Sequence, residues 1–235
     1  MSEFLVSARK YRPKTFDQVV GQSSVTSTLK NAIKTNQLAQ SFLFCGPRGV
    51  GKTSCARILA KQINSTTEET ADSDYAFNIF ELDAASNNSV EDIRKINEQV
   101  RIPPQVGTHK IYIIDEAHML SSSAFNAFLK TLEEPPKHVI FILATTEKNK
   151  IIPTVLSRCQ VYDFKRIPIE AIQAYLVKIA TLKALSFEED ALFLIAQKAE
   201  GAMRDALSIF DRMVSFTNGN LSVASVAENL NVLDY

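Results

Sequence analysis

The chain reads as an α/β protein: a five-stranded parallel sheet flanked by helices, followed by a small all-helical domain. Two observations predict this. Up to Phe164, short apolar runs alternate with stretches of helical period, and the runs are continuously apolar, as strands buried on both faces are. After Lys165-Arg166-Ile167-Pro168 only helical periods remain. The expected boundaries are an α/β domain over residues 1–167 and a helical domain over 168–235.

The first helix is read from Ser23 to Asn36, where Val25, Leu29 and Ile33 recur every four residues behind a serine able to cap the first turn. Ser41 to Cys45 is the first strand, followed by a glycine cluster and a helical pattern through Cys55, Ile58, Leu59 and Ile63. Asn64 to Asp74 is polar and acidic, with nothing to bury, and reads as a surface loop. Phe77 to Leu82 is the second strand. Ser89 and Asp92 then form a capping box ahead of Val90, Ile93, Ile96 and Val100.

Lys110 to Asp115 and His138 to Thr145 are β-branched strands. Between them lies a helical pattern carrying Phe125, Phe128, Leu129 and Leu132, which Pro135 and Pro136 end. Gln160 to Phe164 supplies the last strand. The later helices are expected at Ile169 to Leu185, Phe187 to Glu200 and Met203 to Phe216, with a short piece after Leu221.

The 235 residues are 46% hydrophobic and 22% charged, ordinary globular usage that excludes disordered and fibrous classes. Lysine plus arginine and aspartate plus glutamate each total 26, so no global field draws a polyanion and any nucleic-acid contact must be local. Neither a signal-peptide core nor a run of about 20 apolar residues is present, which predicts no membrane role and a cytoplasmic location. Three widely spaced cysteines, Cys45, Cys55 and Cys159, suit reduced, buried thiols, and the histidines His109, His118 and His138 complete no zinc ligand set.

Gly46-Pro47-Arg48-Gly49-Val50-Gly51-Lys52-Thr53, followed by Ser54, is a complete GxxxxGK[ST] pattern between a strand and a helix. Its glycines let backbone amides fold around a phosphate, and the following helix adds its positive end. Lys52 would neutralise the outer phosphates, and Thr53 offers a hydroxyl to magnesium. Ile111-Tyr112-Ile113-Ile114-Asp115-Glu116 is an apolar strand ending in two acids. Asp115 can hold the magnesium shell, and Glu116 can orient an attacking water. Most adjacent acids are solvated helix starts, but few end a buried strand in a chain with a phosphate loop. His118 would suit a DEAH-type helicase, yet the chain has room for one phosphate-loop domain where such helicases need two, so the residue reads as structural.

These residues resemble the clamp loaders among the AAA+ ATPases, and within them the gamma/tau subunit family of bacterial DNA polymerase III. The landmarks are Tyr11-Arg12-Pro13 with Phe16 and Val20-Gly21-Gln22, the phosphate loop, Glu81 to Asn87, Asp115 to Leu120, Leu132-Glu133-Glu134-Pro135-Pro136, Leu143 to Thr146, Ser157-Arg158-Cys159 and Gly201 to Leu207. The resemblance implies an ATP-hydrolysing subunit, using ATP and magnesium, that loads a sliding clamp onto primer-template DNA within a hetero-pentamer. It implies that the segment with Arg12, Pro13, Val19 and Val20 lines an adenine pocket, although the residues alone equally suit an arm packed on the domain. Thr146 matches a sensor of the γ-phosphate or attacking water. Arg158 matches an arginine that reaches the nucleotide of the neighbouring subunit, and Arg204 matches a phosphate contact from the helical lid.

The helix beginning near Asn88 and Ser89 could offer amides to DNA, against which stand Asp83, Asp92 and an ordinary cap. Two departures stand out: Asn64 to Phe77 lacks the four-cysteine zinc module of the family, and the chain ends at Tyr235, where the family continues into a helical collar. The expectation is therefore a fragment, monomeric or weakly associating, that binds ATP but hydrolyses it slowly alone. A non-hydrolysing structural subunit and a Holliday-junction or replication-restart motor are the alternatives.

Overall fold

The computed structural model describes residues 6–64 and 76–230. The acidic loop expected from Asn64 to Asp74 lies, beyond Asn64, outside them. Contacts divide the chain into two compact units: residues 24–46 with 52–164, and residues up to Ser23 with 47–51 and those from Lys165 onward.

The larger unit is a parallel sheet of five strands, β1 (Ser41–Cys45), β2 (Ile79–Asp83), β3 (Lys110–Asp115), β4 (Val139–Thr145) and β5 (Gln160–Asp163), in the order β2-β3-β4-β1-β5. Burial follows position in that order. Every residue of the central strands β1 and β4 is buried, whereas β2 and β5, at the edges, are mostly half-buried or exposed. This is why the central strands read as unbroken apolar runs. The register pairs Cys45 with Thr145 and Ile114 with Leu143, so β1, β3 and β4 finish at one edge, where the glycine loop also leaves.

Parallel strands need crossovers, and helices supply them. After α1 (Ser7–Lys10) and α2 (Ser23–Lys34), α3 (Lys52–Asn64) joins β1 towards β2, α4 (Val90–Gln99) joins β2 to β3, α5 (Ser122–Glu133) joins β3 to β4, and α6 (Pro153–Leu156) precedes β5. One face of the sheet, carrying Leu43, Tyr112, Ile114, Phe141 and Leu143, packs with Ile93 and Ile96 of α4 and Phe125, Phe128 and Leu132 of α5. Helix α4 starts with the expected box, in which the Asp92 amide donates to Ser89 Oγ at 3.2 Å and the Ser89 amide donates to Asp92 Oδ2 at 3.3 Å. That box engages two of the amides at the helix start, those of Ser89 and Asp92. Helix α5 is capped by Ser121 and stops just ahead of Pro135.

A 3₁₀ turn, Ala76–Asn78, replaces the start of the second strand expected at Phe77. The Asn78 side chain reaches sideways to the Val106 carbonyl there, and a ladder partner first appears at Ile79, opposite Ile111.

The second unit gathers α7 (Ile169–Leu182), α8 (Glu189–Lys198), α9 (Met203–Phe216) and α10 (Val223–Asn229) around a core that includes Leu176, Leu192, Ile195, Leu207 and Phe210. Besides its helices it holds a two-residue parallel ladder, β6 (Ser186–Phe187) with β7 (Asn220–Leu221), which no sequence period announces. The N-terminal segment is fastened to these helices. The Ser7 hydroxyl donates to Asp211 Oδ1 at 2.5 Å, Lys183 Nζ donates to Ser7 Oγ at 2.9 Å, and Tyr175 donates its hydroxyl to the Tyr11 carbonyl at 3.2 Å. No helix among the described residues is long and apolar enough to cross a membrane.

Candidate functional site

Within the sheet unit, five of the residues singled out from sequence come together where β1, β3 and β4 end. Lys52 opens α3 with its side chain buried, and its ammonium donates to the Gly46 carbonyl at 2.7 Å. Burial pushes its pKa below the ordinary value of 10.5, while the nearby carboxylates of Glu116 and Asp115 pull it back up. The two carboxylates favour the charged ammonium and so offset part of the cost of burying it. Next along the helix, the Thr53 hydroxyl donates to Asp115 Oδ2 at 2.8 Å. This pairs the two residues expected to share magnesium, across the strand β4 that separates β1 from β3.

Glu116 departs from regular backbone. Its φ of 48° and ψ of 44° lie in the left-handed region, a conformation costing about 1–3 kcal/mol for a non-glycine residue. The cost releases the acid from the strand direction after Asp115, and the Thr146 hydroxyl donates to its Oε2 at 3.1 Å. The acid and the expected sensor therefore share one hydrogen bond.

Gly46 explains why the loop begins with glycine. Its φ is +146°, and a Cβ there would sit 2.3 Å from the backbone oxygen of Phe164. The Gly46 amide donates to the Thr145 carbonyl at 3.2 Å, continuing the β1–β4 ladder by one residue. Ser54 is half-buried in the first turn of α3.

The other loop residues, Pro47, Arg48, Gly49, Val50 and Gly51, group with the helical unit. Within it, Gly49 (φ +75°) lies against the start of α9, where an added Cβ would stand 3.1 Å from Ala202 Cβ, and the Arg204 amide donates to the Gly49 carbonyl at 3.4 Å. Val50 is buried and its carbonyl accepts from the Gln22 side chain at 3.4 Å. Val19 lies beside Gly51, 3.8 Å from where a Cβ would be. Val20 packs on the helical core, Pro13 is half-buried, and the side chains of Arg12, Arg48 and Arg204 are exposed.

Arg158 is placed apart from this group. Its Nε donates to Glu133 Oε1 at 2.9 Å, its second terminal nitrogen contacts the same oxygen, and Nη1 donates to the Thr154 carbonyl at 2.6 Å. Glu133 belongs to the Leu-Glu-Glu-Pro-Pro landmark, to which sequence reasoning gave no task; no local pattern announces a pairing between residues 25 positions apart. His118 is the other residue whose surroundings sequence reasoning missed. Its side chain is 7% exposed and lies against Glu116, Thr145 and Glu147. The three thiols are unpaired, and burial pushes Cys45 up to about 11 and both Cys55 and Cys159 up to about 12.

Comparison with known proteins gives consistent matches. A family model described as DNA polymerase III, delta subunit, matches residues 21–168. A second, described as the ATPase lid domain of the DNA polymerase III clamp loader subunit, matches residues 171–219. DNA polymerase III subunit tau of Bacillus subtilis (strain 168) is 48% identical over 227 residues, covering 92% of this chain and 40% of that protein. The Escherichia coli (strain K12) subunit tau is 43% identical over 243 residues, covering 98% and 38%. The gamma subunit of Buchnera aphidicola subsp. Baizongia pistaciae is 39% identical over 241 residues, covering 97% and 65%. The chain thus spans 40% and 38% of the length of the two tau relatives. Among solved structures, the RuvB Holliday junction branch migration motor of Thermotoga maritima superposes with a TM-score of 0.73 at 21% identity, covering 95% of this chain and 73% of that one. This likeness concerns the fold alone.

Proposed function

The chain belongs to the gamma/tau family of DNA polymerase III clamp-loader subunits, and from that premise we propose that it binds ATP with magnesium and hydrolyses it to ADP and phosphate. It does so as one subunit of an assembly, a hetero-pentamer, that opens a sliding clamp and places it on primer-template DNA. The observation that carries this reading is the convergence of Lys52, Thr53, Asp115, Glu116 and Thr146 at one sheet edge, with Glu116 held in a left-handed backbone conformation.

Lys52 grips the outer phosphates, exchanging its bond to the Gly46 carbonyl for a charged partner. Thr53 and Asp115 would hold magnesium, which when bound would offset charge on those phosphates. Glu116 accepts a hydrogen bond from the attacking water and aims it in line with the γ-phosphorus. Thr146, whose hydroxyl donates to Glu116 Oε2, would register the γ-phosphate or that water. For Arg12, Pro13, Val19, Val20, Arg48 and Arg204 the nucleotide role rests on the resemblance, as does the role of Arg158 on a neighbouring subunit. ATP then acts by population shift, favouring the clamp-opening state that hydrolysis dissolves.

Two other readings are weaker. A non-hydrolysing scaffold has no use for an intact set of Lys52, Thr53, Asp115 and Glu116, and a branch-migration motor is favoured only by fold likeness at 21% identity. The test is DNA-stimulated ATP turnover by the full-length protein assembled with the other clamp-loader subunits, clamp and primed DNA. Arg158→Ala is expected to lower turnover about 10³-fold, the usual worth of an arginine acting on the transferring phosphoryl group, while each subunit still binds ATP. Unchanged turnover removes the trans role, and clamp-independent turnover of native rate removes the clamp-loading assignment.

A further inference from the structure

The least solvated imidazole near the candidate site belongs to His118, in the 3₁₀ turn Ala117–Met119 that directly follows Glu116. One ring nitrogen, Nδ1, stands 3.1 Å from Thr145 Oγ1 and 3.5 Å from Glu116 Oε2. The other, Nε2, stands 3.3 Å from Glu147 Oε1. The ring is thus wedged between two carboxylates that flank it in space.

The Glu147 amide donates to Thr145 Oγ1 at 3.0 Å, so Thr145 joins the ring to the loop after β4. Glu147 is fixed in turn, since Lys150 Nζ donates to its Oε1 at 2.9 Å.

An ordinary buried histidine would be satisfied by Thr145 and Glu147. Its place against Glu116 adds something. The contacts that Glu116 makes with Thr146 and His118 both fall on Oε2, which leaves Oε1 as the oxygen to face a water. The ring also packs beneath a residue whose left-handed backbone must be held in place by its surroundings.

We propose that His118 is a positioning residue: it fixes the rotamer of Glu116 and couples that acid to the loop after β4 through Glu147. This rests on the reading of Glu116 as the water-orienting acid. Through Glu147 and Lys150, the coupling reaches the chain that leads into α6 and Arg158. A displacement of that loop is thereby transmitted to the acid without any contact to nucleotide.

The experiment uses the full-length protein in the assembled clamp loader, with clamp and primed DNA, and reads two quantities: the single-turnover rate of ATP hydrolysis and the Kd for ATP with magnesium. His118→Ala, His118→Gln and Glu147→Gln are compared, and each is repeated in a Glu116→Gln background. Loss of positioning by a fraction of an ångström to an ångström predicts a rate lower by about 10- to 100-fold in His118→Ala. The Kd is expected to stay within about twofold, as only the chemical step is affected. His118→Gln, which keeps one donor and one acceptor, is expected to recover part of the rate. Glu147→Gln, which leaves the core untouched, is expected to show a smaller fall in the same sense. In the Glu116→Gln background none of the three should lower the rate further, because the group they act through is gone.

A native rate in both His118→Ala and Glu147→Gln overturns the proposal, as does an equal fall in both backgrounds or a loss expressed wholly in Kd. A native rate in Glu116→Gln alone overturns the reading of Glu116 together with this inference. A fall in Glu116→Gln with none in the His118 variants overturns this inference alone.

Discussion

Replacing Lys52 by methionine separates two roles that the buried ammonium could have, because binding and stability respond to it differently. Methionine keeps the apolar stem and removes the charge. The ammonium donates a charge-assisted bond to the Gly46 carbonyl, worth about 1.5–3 kcal/mol. Against this stands the burial that pushes its pKa down, a cost the methionine does not bear. These contributions oppose each other, so the net change in unliganded stability is expected to be within about 1 kcal/mol, or roughly 2–4 °C in Tm for a chain of this size.

Binding has no such cancellation. Contact between Lys52 and the outer phosphates is worth about 3 kcal/mol as a charge-assisted pair in a half-dry site, which corresponds to a roughly 100-fold rise in the Kd for ATP. Calorimetric titration and thermal denaturation of the same preparations measure both. A Kd within about threefold of native, or a Tm lowered by more than about 10 °C, would show that Lys52 is a structural cation and refute the argument.

Three further outcomes are expected. Since the folded-state pKa of Lys52 lies below 10.5, the unfolded chain binds its proton more tightly; unliganded stability should therefore rise with pH between the two values, and ATP binding should take up protons in that window. Titrations in buffers of different ionisation enthalpy, at a series of pH values rising towards 10.5, check this: proton uptake should grow along the series, and that growth should be lost in Lys52→Met. Gly46→Ala places a Cβ 2.3 Å from the Phe164 carbonyl oxygen at a φ of +146°, and is expected to lower stability by about 2 kcal/mol or more in denaturant titration. Ser89→Ala removes the α4 cap and should cost about 1 kcal/mol by the same measurement, without altering the Kd for ATP.

Much of the sheet was legible in the sequence because strands buried on both faces have no polar alternation. Phe42, Leu43 and Phe44, or Ile140 through Leu143, admit few other readings. The capping box at Ser89 was equally plain, being chemistry confined to four adjacent residues. The glycine loop and the pair Asp115-Glu116 were legible as residue types. Their meeting was not, since Thr53 reaches Asp115 across 62 positions of chain.

What stayed hidden has a common cause: periodicity reports which residues are buried, not which distant residues meet. The Arg158–Glu133 pair, the bridging of Glu116 and Glu147 by His118, and the fastening of Ser7 to Asp211 all join residues whose local surroundings are unremarkable. The same holds for the ladder of Ser186–Phe187 with Asn220–Leu221, which at two residues per strand is too short to show a period. The left-handed Glu116 was hidden for another reason, because glutamate has no preference for that backbone and only its surroundings impose it.

The motor function requires uptake of a triphosphate beside Lys52, Thr53 and Asp115. Isothermal titration of the folded protein with ATP, in the presence and absence of magnesium, measures it directly. One site per chain is expected, tighter with magnesium, and with that magnesium dependence lost in a Thr53→Val, Asp115→Asn double variant. No heat of binding for ATP or ADP from protein that melts cooperatively would contradict the nucleotide reading and leave the fold without the motor.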